Sequence, residues 1–68
     1  MKQHEEFLKE YDQSYEEFRR YLQDKNYSEA TSVQGYLTGM IMAARILSNT
    51  DTDVEFVKEI TDRANILF

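Results

Sequence analysis

The sequence contains no cysteine, no proline and no tryptophan, and it has a single histidine. Without cysteine, a disulfide framework and a thiolate zinc site are both excluded, and one histidine cannot form an imidazole cluster. Without proline, nothing in the chain forbids long helices. A chain of 68 residues forms one domain at most, of a size at which one core leaves little net stability. Oligomerisation is the stabilising device that remains.

The charge balance is acidic, with 13 acidic and 8 basic side chains and a net charge of -5 at pH 7. This balance disfavours binding to phosphates and to anionic membrane surfaces, so we expect no direct nucleic-acid partner and no membrane partner. The hydrophobic fraction of 41% is too high for a disordered chain. The N-terminal residues contain no apolar core of the signal-peptide kind, and the longest mostly apolar run, residues 36–47, is too short to span a bilayer and contains Arg45. The sequence therefore predicts a cytoplasmic location.

Apolar side chains recur at helical spacing in three segments separated by short polar stretches. The sequence predicts a single all-α domain over residues 1–68, a small three-helix bundle with helices at about 3–24, 28–48 and 52–67. Ser28 is predicted to cap the second helix, and Thr52 with Glu55 the third. The residues expected to face the core are Leu8, Tyr11, Tyr15, Phe18 and Leu22 in the first helix, Val33, Leu37, Met40, Ala44 and Leu47 in the second, and Phe56, Val57, Ile60, Ala64 and Leu67 in the third.

Two glycines, Gly35 and Gly39, lie inside the second predicted helix, and Ala43 follows one turn later. Each interior glycine costs about 1 kcal/mol relative to alanine. Small residues one turn apart form a groove in which a second helix can approach closely. We therefore predict a close helix contact at Gly35, Gly39 and Ala43, with Met40 and Leu47 beside it. The contacting helix belongs either to the same chain or to a second copy in a homodimer.

Tyrosines recur along the first predicted helix. Tyrosine buries its ring and keeps its hydroxyl in water, and it is favoured at protein interfaces. Tyr11, Tyr15 and Tyr21, with the acidic Glu16 and Glu17, are therefore predicted to bind a partner protein. The alternative is that the tyrosines form the edge of the intramolecular core.

The sequence contains no constellation that predicts catalysis. The spacing of Asp51, Asp53 and Glu55 is similar to the start of a calcium loop, but the sixth position is Phe56 instead of glycine and the twelfth is Asp62 instead of glutamate. Helix capping is the preferred interpretation of these carboxylates. We therefore expect no enzyme activity, no cofactor, no metal and no small-molecule substrate.

The segment 35–47 reads GYLTGMIMAARIL and resembles a pattern common in short, acidic, cysteine-free proteins encoded by bacteriophages and other mobile elements. The resemblance implies a small protein made inside bacteria that binds and modulates a larger host or phage protein. The sequence therefore predicts a non-catalytic protein–protein interaction module, for example an inhibitor of such a larger protein. The alternatives are a structural homo-oligomer or scaffold, and an acidic nucleic-acid mimic that blocks a basic groove.

Overall fold

The computed structural model describes residues 2–48 and 54–67 and contains three helices there. Helix α1 spans Lys2–Gln23, α2 spans Tyr27–Ser48 and α3 spans Val54–Leu67. No strand occurs within these two ranges. The predicted fold class, a small all-α three-helix bundle, is confirmed.

A Schellman turn ends α1. The backbone N–H of Asn26 donates to the carbonyl of Tyr21 (2.8 Å), and the N–H of Lys25 donates to the carbonyl of Leu22 (3.1 Å). This pair of bonds requires a left-handed residue, and Lys25 provides it with a φ of 59°. Glycine is the usual residue at such a position because it has no Cβ to strain. The α1–α2 turn therefore forms despite an unfavourable residue.

Asn26 caps α2 in place of Ser28. Its carbonyl accepts the first helical hydrogen bond, from the N–H of Ala30 (3.0 Å), and its side-chain Oδ1 accepts a long bond from the N–H of Glu29 (3.5 Å). The prediction of Ser28 as the cap is wrong, because Ser28 already lies within the helix. Asn26 is as good a capping residue as serine, so the helix begins at the earlier of the two. The capping box predicted at Thr52 lies outside the described residues.

The chain divides into two compact units, Met1–Thr38 and Gly39–Phe68, and α2 runs through both. In the first unit, Tyr11, Ala30 and Leu37 are buried. Around them lie the half-buried side chains of Phe7, Leu8, Tyr15, Phe18 and Val33. Leu22, predicted for the core, is exposed. It lies in the last turn of α1, where the helix is about to end.

The core of the second unit is formed by Ile41, Ala44, Phe56, Ile60 and Ala64, which are all buried. The three buried α3 residues are spaced four apart, and all three belong to the core positions that the sequence predicts for this helix. Leu67 is half-buried, whereas Val57 and Leu47 are exposed, contrary to prediction. Val57 and Leu47 each lie at the margin of the apolar stripe of their helix, and only the central residues of each stripe are buried.

Candidate protein-binding surfaces

The outer face of α2 is the side of the helix opposite its buried residues. In the second unit it consists of Gly39, Met42, Ala43 and Ile46, whose spacing of three, four and seven places them on one side of the helix. All four are exposed. Met42 retains 59% and Ile46 69% of its accessible surface. The outer face thus presents two large apolar side chains beside two small residues.

The space above the glycines of α2 is open. An ideal Cβ built on Gly35 or on Gly39 meets no heavy atom within 4 Å apart from its chain neighbours and its own helix backbone. Neither glycine has a positive φ, so no backbone conformation requires them. A covering helix from the same chain, one of the two predicted alternatives, is therefore absent from the described residues. The contact with a second copy stays a prediction.

The outer face of α2 also lacks charge. The sequence has no Asp, Glu, Lys or Arg between Glu29 and Arg45, a stretch of four helical turns. An exposed helix side normally carries charged or strongly polar residues. Here it carries Gly39, Ala43 and two large apolar residues, a composition typical of the centre of a protein interface.

Met40 and Leu47, predicted to join the glycine contact, lie beside the outer face. Met40 is three residues before Ala43 and Leu47 is four residues after it, and these are the spacings of neighbours on a helix. Met40 is half-buried, and Leu47 is exposed near the end of α2. The sequence analysis did not identify Met42 and Ile46 as surface residues. Their spacing from Gly39 places them on its side of the helix, but apolar residues on several sides of α2 gave no signal that this side is exposed.

The tyrosines of α1 do not form one exposed surface. Tyr11 is only 2% exposed and belongs to the core of the first unit, so the prediction that it contacts a partner is corrected. Tyr15 and Tyr21 are half-buried. The ring of Tyr15 lies 6.0 Å from that of Phe18, between centroids, at a tilt of 42°. Tyr15 thus lies beside Phe18 within α1, and its contact with a partner stays a prediction.

Glu17 and Tyr21 border an open surface depression of about 400 Å³, together with Arg20 and Asp24. Glu16, although exposed, is about 100° away from Glu17 on the helix and is not part of it. Of the five predicted partner-binding residues, the depression brings together only Glu17 and Tyr21. Two carboxylates and one guanidinium border it, so its charge is mixed.

Tyr36 connects the two helices of the first unit. Its hydroxyl donates a hydrogen bond of 2.6 Å to Oε1 of Glu10. This bond, with smaller contributions from desolvation and from the Glu10 charge, raises the pKa of Tyr36 above its usual value, because ionisation removes the donated proton. The Tyr36 side chain is half exposed, so this hydrogen bond lies at the surface of the first unit.

On α3, Arg63 pairs with Glu59 at a distance of 2.7 Å between Nη1 and Oε2. The same Nη1 donates to the Glu59 carbonyl at 3.2 Å. The two residues are one helical turn apart, a spacing that contributes a few tenths of a kcal/mol. Glu59 therefore has a structural partner within its own helix.

Two kinds of feature are absent from the described ranges. No group of three or more potential metal ligands is present within residues 2–48 and 54–67. None of the helices in that part of the chain has the length and apolarity to cross a membrane. Asp51 and Asp53, considered above as calcium ligands, lie outside the described residues.

Comparison of the chain with protein-family models, with curated proteins and with solved structures gives no match.

Proposed function

We propose that this chain is a small non-catalytic module that acts by binding another protein. The observation that carries the proposal is the outer face of α2. Met42 and Ile46 are exposed there on a helix side without charge. Methionine is enriched and charge is depleted in the centres of protein interfaces. A partner that covers this face would remove the exposed apolar surface from water.

The proposed role is that of a modulator or inhibitor of a larger protein in a bacterial cytoplasm, as the resemblance to phage-encoded proteins implies. Occupancy of a surface on the target is sufficient for such a role, so no catalytic group is needed. A structural homo-oligomer is the second candidate, favoured by the fact that the exposed face is uncharged and could cover its own copy. A nucleic-acid mimic is weaker, because Arg20 lies among the carboxylates at the α1 depression.

The test is affinity capture from a bacterial lysate with the tagged chain and two matched variants. Ile46→Glu places a charge on the outer face, whereas Gln34→Glu places the same charge on another exposed side of the same helix. We expect the bound proteins, its own copies included, to be retained by the wild type and by Gln34→Glu, and to be lost with Ile46→Glu. Equal capture by both variants would contradict a binding role for this face.

A further inference from the structure

We infer that α2 contains a flexible joint at residues 38–40, where the helix opens locally while the parts of α2 on both sides stay packed. The joint lies between two buried residues, Leu37 and Ile41. Leu37 belongs to the core of the first unit, and Ile41 belongs to the core of the second. The inference concerns the helix itself and does not depend on what binds its outer face.

The position of the joint follows from the division of the chain. The boundary between the two compact units falls inside α2, between Thr38 and Gly39. Just before the joint, the hydroxyl of Tyr36 attaches α2 to Glu10 of α1 through a hydrogen bond of 2.6 Å. None of residues 38–40 is fully buried. The joint is therefore a stretch of helix with little of its own packing between two anchored parts.

The backbone of α2 is intrinsically weak at this stretch. Gly39 and, one turn earlier, Gly35 lower helix stability because glycine loses the most backbone entropy on folding. Neither glycine is required by packing or by a positive φ. The hydroxyl of Thr38 also donates to the carbonyl of Gln34 at 2.8 Å. Such a bond to the carbonyl four residues earlier slightly destabilises a helix and often bends it.

The other two helices have more local support. Neither α1 nor α3 contains a glycine. In α3, Glu59 and Arg63 form an ion pair one turn apart, and such pairs stabilise a helix. No such pair can cross the joint, because α2 has no charged residue between Glu29 and Arg45. Low helix stability is thus concentrated at the joint, where opening does not require a buried side chain to leave its core.

The first experiment is native-state amide hydrogen exchange of the purified chain, followed by NMR and corrected for intrinsic rates. The helical bonds of amides 39–42 cross the unit boundary, because each N–H donates to the carbonyl four residues earlier. We expect these amides to exchange at least about tenfold faster than those of Tyr11 and Ile60, in α1 and α3. Their rates should also be insensitive to low urea concentrations, since local opening exposes little surface. Rates and urea dependence equal to those of Tyr11 and Ile60 would show that α2 opens only with the whole fold, and the inference would be wrong.

The second experiment moves the glycine from α2 to α1 in the double variant Gly39→Ala/Gln13→Gly. Gln13 is exposed in the middle of α1, so the loss of helix propensity there approximately offsets the gain at residue 39. Global stability should therefore be conserved, and the exchange rate of the Ile60 amide should change less than about twofold. Amides 39–42 should nevertheless exchange about fivefold more slowly, because the joint itself is stabilised. If they slow no more than the Ile60 amide does, the opening is not local to the joint and the inference is overturned.

Discussion

The glycines of α2 provide the most direct test of the tertiary structure. We predict that Gly39→Ala stabilises the monomer by about 0.8–1.0 kcal/mol, the difference in helix propensity between the two residues. The added Cβ meets no heavy atom of the described chain within 4 Å, so no overpacking opposes this gain. Gly35→Ala should give the same result for the same reason. The two changes share no new contact and should add to about 2 kcal/mol.

The measurement is urea denaturation followed by circular dichroism at a protein concentration that favours the monomer. The midpoint should rise without a change in m, because the surface exposed on unfolding is nearly constant. In a thermal scan, each kcal/mol corresponds to a rise of about 4–8 °C in Tm for a domain of this size. Repeating the experiment at high concentration tests the second-copy contact. There, Gly39→Ala should weaken the dimer while it stabilises the monomer.

A particular result would refute this reasoning. If Gly39→Ala destabilises the chain by 1 kcal/mol or more at low concentration, with no dependence on concentration, then atoms of the same chain pack against Gly39. The space above Gly39 would then be occupied by atoms of the same chain, and the close contact would be intramolecular. Gln34→Ala is a useful control, because it is exposed on α2 and leaves both glycines in place.

Three further outcomes are expected. Lys25→Gly should stabilise the chain by about 1 kcal/mol in urea denaturation, because Lys25 has a φ of 59° and glycine adopts this conformation without strain; an unchanged midpoint would argue against the left-handed turn. Ile60→Ala should cost about 2–5 kcal/mol, whereas Ile66→Ala should change stability by less than about 0.5 kcal/mol, since only Ile60 is buried; similar losses measured by thermal unfolding would contradict the core assignment. The hydrogen bond from Tyr36 to Glu10 raises the pKa of Tyr36 and stabilises the fold while the phenol is protonated, and this contribution is lost as the pH rises above about 10 through the folded-state pKa. The stability of the wild type should therefore fall more steeply than that of Tyr36→Phe in that alkaline range, and parallel curves would show that the bond contributes nothing.

The sequence determined the three helices because their signals are local. Apolar spacing and the absence of proline fixed where the helices run, and the described boundaries agree to within two residues. The central core positions Leu37, Ala44 and Ile60 were also predictable, because each lies in the middle of its apolar stripe. Within the candidate binding face, the sequence identified Gly39 because glycine has low helix propensity. It identified Ala43 because this small residue follows Gly39 by one helical turn.

Only the tertiary structure decided which side of α2 is buried. Apolar or small residues surround more than half of this helix, so its periodicity is compatible with several burial patterns. Packing selects the side with Leu37, Ile41 and Ala44, and it leaves Met42 and Ile46 exposed. The same limit applies to α1, where spacing placed Tyr11 and Leu22 in one apolar stripe although Tyr11 is buried and Leu22 is exposed. Local sequence fixes the helix, but the neighbouring helix determines which of its apolar residues are removed from water.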